Sequence, residues 1–265
     1  MYHKNELLNS HKQKSTIRNR KEMEVHHHPK VEKKKFKEYF LEFLMIFIAV
    51  TLGFFAESYR EYLNDRSKEK EYIQSFIQDL ASDTSQIDNL LGGYARKHKA
   101  MDTLLSELKK PASLNHPDLL YKYLMYNKNV SFLQPADGTL EQLKNGGLRL
   151  IRNHAISDSI IAYSLKIKVI LIHQNDLDIS FHHLSDISSE IFDENQEDDF
   201  LYDRSILPQP ERTFLLTKDP AKINVLFNEE SKMLYAEKFH EFFLNDLKAT
   251  ATRYVIYLKK EYHIK

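Results

Sequence analysis

Fourteen consecutive residues without a charge, Phe43 to Ala56 (FLMIFIAVTLGFFA), constrain this chain more than any other feature. Adding Tyr39-Phe40-Leu41-Glu42 extends the stretch to eighteen residues, about 27 Å of helix at the usual rise. The hydrocarbon core of a bilayer is about 30 Å thick, so residues 39–56 are predicted to cross a membrane as one helix. Tyr39, Phe40, Phe43, Ile46, Val50, Gly53 and Ala56 mark the span. Tyr39 and Tyr59 bracket it as interfacial aromatics. Glu42 is its one ionisable group. In the first turn its carboxylate reaches headgroup water, although intramembrane carboxylates also serve ion or proton paths.

Three other readings of the stretch compete. A cleaved signal peptide has a similar apolar length, but cleavage after Ala56 would place bulky Phe54 where a small residue is wanted. A buried core helix is weakened by the lack of any polar face from Phe43 to Phe55, and an interfacial helix fails for the same reason. A homo-oligomeric contact is a further possibility, because Ala49, Gly53 and Ala56 set small residues near one face; bulky phenylalanines beside that seam make ordinary lipid-facing composition the simpler reading.

The flanks give a direction. Lys30, Lys33, Lys34, Lys35 and Lys37 crowd the N-terminal side, while Arg60, Arg66, Lys68 and Lys70 are spread wider on the other. The positive-inside rule favours a cytoplasmic N-terminus and places residues 57–265 outside the cytoplasm, periplasmic if the membrane is a bacterial inner (cytoplasmic) membrane. Formal net charge is zero, yet residues 1–38 hold eleven Lys and Arg against five Asp and Glu. A basic tail on a mildly acidic body fits anionic lipid as partner and argues against nucleic acid. With no cysteine, disulfides, thiolate metal sites and cysteine nucleophiles are excluded.

From Met23 the chain reads MEVHHHPKVEKKKFKEYFLEFLMIFIAVTLGFFAESYRE. This resembles the start of an uncharacterised family of single-span bacterial membrane proteins, abundant in the Bacteroidetes, that carries a domain of unknown function. Its members often open with MEVHHH and follow with a basic-aromatic stretch and a span ending in GFFAE. The segment from Thr139 to Asn153 (TLEQLKNGGLRLIRN) resembles its second landmark. The likeness runs to about Tyr163. It implies a single-span envelope protein and a start at Met23, with residues 1–22 disordered or not native, and it brings no activity with it.

After the span, six glycines and seven prolines in 265 residues favour long helices. Ile73, Phe76, Ile77, Leu80, Ile87, Leu90 and Leu91 recur at helical spacing up to Gly92-Gly93, and Met101, Leu104, Leu105 and Leu108 resume the pattern until Pro111. The span is expected to continue into this helix. Pro117 opens a short helix with Leu120, Tyr123 and Leu124 inward. Asp137 is expected to cap another that ends at Gly146-Gly147, and Asn153 the next. In that helix Ile156, Ile160, Tyr163, Ile167, Ile170, Gln174, Leu177, Phe181 and Leu184 alternate steps of three and four. A second row, Ile161, Leu165, Val169 and Ile172, predicts a core helix packed on two sides. Residues 193–212 read as a loop, Asp219-Pro220 opens a helix, and Ser231 to Tyr262 is periodic again. The expected class is all-α: residues 1–38 a basic, largely disordered tail, 39–56 the transmembrane helix, and 57–265 a bundle of about four long helices with short accessory ones.

No constellation carries recognisable chemistry. His26-His27-His28 is a histidine run without a scaffold. His173, His182 and His183 share a helix, with Asp186 one turn from His182, but the H-E-x-x-H spacing of zinc proteases is missing. Asp193, Glu194, Glu197, Asp198 and Asp199 lack the glycine and final glutamate of a calcium loop. Gly146-Gly147 has no phosphate-loop Lys-Ser/Thr after it, and no nucleophile elbow occurs. The sequence therefore leads to an expectation of no catalytic, cofactor-binding or metal residues. It describes a non-catalytic interaction or scaffold module, with ligand sensing or an accessory role in an envelope complex as the alternative. The partners would be the lipid bilayer, a membrane protein or a second copy.

Overall fold

The computed structural model describes residues 35–128, 131–193 and 214–265. The histidine run 26–28, the basic flank before Lys35 and the acidic residues 194–199 lie outside them. Helix α1 (Phe36–Leu108) is continuous over 73 residues and belongs to both compact units of the chain, residues 1–57 and 58–265.

In the first unit α1 is helical throughout the apolar stretch, and none of its most apolar eighteen-residue window is buried. It is the one helix among the described residues long and apolar enough to cross a membrane. Tyr39, Phe40, Phe43, Ile46 and Val50 are each more than half exposed, Gly53 and Ala56 are also exposed, and Glu42 is half-buried. Contiguous exposed apolar surface of this kind marks a contact site for protein or membrane.

The second unit is built on three long helices: the remainder of α1, α4 (His154–Ser189) and α5 (Pro220–Glu261). Short helices α2 (Pro117–Asn127) and α3 (Gly138–Lys144) fill the connection after α1, with 3-10 turns at Pro111–Asn115 and Gly147–Leu150. Among the described residues the strand-like pairing is a single isolated bridge, Phe192 to Leu215. Among the described residues three long helices stand where about four were expected, the helix opened by Asp219-Pro220 and the one beginning near Ser231 being one helix, α5. Asp219 caps it, its Oδ1 accepting the Ala221 N–H at 3.0 Å; Asn153 caps α4 through the Ala155 N–H at 3.0 Å.

A heptad register threads all three. On α1 the core positions are 69, 73, 76, 80, 83, 87, 90, 94, 97, 101, 104 and 108; on α4 they run from 156 to 188 and on α5 from 223 to 258, all buried except half-buried 90, 181 and 254. Contacts fix the directions. Glu69 of α1 meets Arg152, before α4, and Tyr262, after α5. Further along α1, Asp83 meets Tyr163 and Lys97 meets Glu237. So α4 runs parallel to α1, and α5 antiparallel to both.

Three expectations are corrected. Gly92-Gly93 does not interrupt α1: the register passes from Ile87 to buried Tyr94, and that burial outweighs the roughly 1 kcal/mol each glycine costs a helix. Asp137 occupies the N-cap of α3 without a side-chain bond; the Thr139 N–H is taken instead by Asp79 of α1 at 3.3 Å. The second apolar row of α4 is not core, since Ile161, Leu165, Val169 and Ile172 are 44%, 57%, 40% and 62% exposed. Heptad seams cover one stripe per helix, and among the described residues the long helices leave that row exposed.

Gly146 follows α3 with φ at +129°, a conformation L side chains avoid. Gly146→Ala is expected to cost about 1–2 kcal/mol, read as a lowered thermal midpoint of the full chain in detergent.

Candidate functional site

The apolar interior of the bundle is in two parts. One gathers Ile73 to Tyr94 of α1, Ile156 to Ile170 of α4 and Leu244 to Leu258 of α5. The other gathers Met101 to Leu108, the α2 residues Leu120, Tyr121, Leu124 and Met125, and Ile223 to Leu234 of α5. Between and beside them, at positions the heptad would give to leucine, sit charged and polar side chains.

The centre of this layer is Glu237, 1% exposed. Lys97 of α1, 6% exposed, donates from Nζ to its Oε1 at 2.6 Å. His98 Nε2 lies 3.2 Å from Glu237 Oε2 and Nδ1 lies 3.5 Å from Glu241 Oε2; the Nε2 contact is not aligned as a hydrogen bond. One turn on, His240 is fully buried and neither ring nitrogen has a hydrogen-bond partner. Aromatic rings enclose it: Tyr94 meets it edge-on at 6.2 Å and His173 of α4 lies 6.5 Å away. Burial pulls the His240 imidazole down to about 4, His173 adding to the effect and Glu237 opposing it. Two turns before Glu237, Glu230 is fully buried, and Asn127 at the end of α2 donates from Nδ2 to its Oε2 at 3.1 Å. Burial pushes Glu230 up to about 7 against the opposing pull of Asn127 and Lys97.

Three more carboxylates of α1 clasp the connecting chain. Glu69 accepts the Arg152 N–H at 3.1 Å and the Tyr262 hydroxyl at 2.8 Å. Asp79 accepts the Thr139 N–H, as described above. Asp83, fully buried, accepts the Ala136 N–H at 2.8 Å and the Tyr163 hydroxyl at 2.7 Å. Each removes a backbone donor or hydroxyl from the list of groups that burial would orphan.

None of these layer residues except His173 stood out in the sequence reading. The available signal was the register itself: Glu69, Asp83 and Lys97 on α1 and Glu230, Glu237 and His240 on α5 fall on the apolar steps of three and four. Of the histidines that did stand out, His173 is half-buried and stacks on Phe243 at 4.5 Å. His182, His183 and Asp186 are exposed, and His182 faces Asp178 at 3.8 Å rather than Asp186.

Glu237 and His240 have the Glu-x-x-His spacing by which helical bundles hold metals. Here the Lys97 ammonium occupies the carboxylate instead, and among the described residues no group of three or more His, Asp or Glu is placed to hold a metal. What the layer can do chemically is hold, or give up, protons inside the bundle. A polar groove between α1 and α3 is lined by Lys68, Glu71, Tyr72, Ser75, Thr139 and Gln142. Comparison with protein families, with curated proteins and with solved structures finds no match to this chain.

Proposed function

We propose that this chain is a single-pass, membrane-anchored helical module that works by engaging other proteins rather than by catalysis. The observation that carries the reading is α1 itself: one uninterrupted helix has an apolar window with no buried residue in its first part and heptad core positions in its second. An interaction role is supported by apolar side chains left outside the core. They are the α4 row Ile161, Leu165, Val169 and Ile172, with Phe239 and Phe242 of α5 at 48% and 64% exposure. In this reading residues 39–56 span a bacterial inner membrane, the lysine-rich N-terminal flank stays in the cytoplasm, and the bundle faces the periplasm.

Carbonate washing of membranes tests the anchor. The wild-type chain is expected to stay in the pellet. Ile48→Arg with Leu52→Arg, each costing about 2.5–3.5 kcal/mol at mid-span, is expected to release it. A wild-type chain washed off by carbonate ends the anchor reading, and in-membrane crosslinking that yields no partner beyond lipid ends the interaction reading. The buried titratable layer favours a second reading, extracytoplasmic sensing that signals through a partner subunit. An accessory role in an ion-driven envelope complex rests instead on Glu42, the candidate intramembrane carboxylate, and unchanged growth and complex assembly in Glu42→Gln would remove Glu42 from that role.

A further inference from the structure

With an ionised carboxylate, the pair at the end of α2 would be incompletely hydrogen-bonded. Asn127 Nδ2 donates to Glu230 Oε2, but Asn127 Oδ1 and Glu230 Oε1 are buried and neither has a partner. Both are acceptors. The cation that acts on Glu230, Lys97 of α1, is committed to Glu237 at 2.6 Å. Glu237, on the same face of α5 as Glu230, adds a repulsive charge. A buried acceptor left unmade costs about 1–3 kcal/mol, and more when charged. One proton on Glu230 would turn Oε1 into a donor, the group that the orphaned Asn127 Oδ1 needs.

We propose that Asn127 and Glu230 form a proton-gated latch between α2 and α5, in which Glu230 is a neutral acid whose Oε1–H donates to Asn127 Oδ1. The two hydrogen bonds close a ring between an amide and a carboxylic acid. Opening transfers the proton to solvent, leaves a carboxylate that prefers water, and releases α2 with Leu120, Tyr121, Leu124 and Met125 from the core they fill with α5. The other titratable groups of the layer are Tyr94, Lys97 and His98 on α1, His173 on α4, and Glu237, His240 and Glu241 on α5. Among them Lys97 and Glu237 act directly on Glu230.

The direction of the gate follows from linkage. A carboxyl that titrates at about 7 folded, against an ordinary 4.5, stabilises the closed state fully below 4.5. That contribution is lost as pH rises through 7. The latch is therefore shut in mild acid and loosened in mild base.

Hydrogen–deuterium exchange of the full chain in lipid nanodiscs, corrected for intrinsic rates, tests this. Protection of the 117–127 peptide is expected to fall on the order of a hundredfold between pH 5 and pH 8, while peptides over α1 residues 73–87 hold. Glu230→Gln keeps the ring, since its amide donates to Asn127 Oδ1 and its carbonyl accepts from Nδ2. It is expected to fold and to flatten the dependence at 117–127 to a few-fold. Infrared difference spectra of the wild-type chain over the same range are expected to lose a protonated-carboxyl C=O band. A 117–127 segment indifferent to pH in the wild type, an equal dependence in Glu230→Gln, or no such band would each overturn the latch.

Discussion

Lys97→Met is expected to destabilise the bundle by about 3–5 kcal/mol, close to half the stability of an ordinary domain. Urea unfolding of the full chain in detergent micelles, followed by helical signal, measures it. The loss of one long side chain's packing is small here, because methionine replaces most of the lysine stem. The damage comes from Glu237, which is 1% exposed and would be left as a buried carboxyl group without the ammonium 2.6 Å away. Glu237→Leu is expected to be nearly as harmful, by stranding Lys97. The double variant Lys97→Met with Glu237→Leu is the decisive case. Removing both charges together extends the apolar interior, and buried pairs replaced in this way are often neutral or stabilising. Recovery of most of the loss in the double variant would locate the cost in the unpaired charge. A double variant as unstable as the two singles added together would mean the layer is held by something other than that pair.

Why such a pair would sit in a bundle core bears on how far the sequence could be read. The α4 row Ile156 to Leu184 was legible because its steps of three and four are apolar throughout, except at Gln174. The caps at Asn153 and Asp219 were legible because each is a short polar side chain immediately before a helical run. The layer was hidden because Lys97, Glu230 and Glu237 have the composition of a solvated face. Only their position in a register carried by neighbours such as Met101, Met233 and Leu244 gives them away. The second α4 row misled for the converse reason. Ile161, Leu165, Val169 and Ile172 have the composition of a core, and whether a third neighbour covers them is a property of the assembled bundle. Asp137 misled because its natural capping target, the Thr139 N–H, was claimed by Asp79 from a helix sixty residues away in sequence. Tertiary contacts of that range leave no local mark.

His240 and Glu230 are expected to give the bundle opposite and nearly cancelling pH dependences, which single substitutions would unmask. His240 titrates at about 4 folded, against 6.5 as an ordinary imidazole. Burial favours the neutral ring, so its contribution is present above 6.5 and is lost as pH falls through 4, on the order of 3 kcal/mol in all. Glu230, raised to about 7, loses a similar amount in the other direction, as pH rises from 4.5. Between about 4.5 and 6.5 unfolding thus moves a proton from Glu230 to His240 and releases none, so these two groups leave the wild type flat across that window. His240→Phe keeps an aromatic ring against Tyr94 and removes the imidazole. Its stability is expected to rise by roughly 3 kcal/mol as pH is lowered from 7 to 4.5. Glu230→Gln removes the other half, and its stability is expected to fall by a similar amount as pH is lowered from 6.5 to 4. Urea midpoints at half-unit pH steps read both slopes. Slopes of the same sign in the two variants would mean that the layer does not store its proton on Glu230. Slopes of opposite sign about a flat wild type would show that the layer keeps its proton count on folding by holding the proton on a carboxyl and denying it to an imidazole.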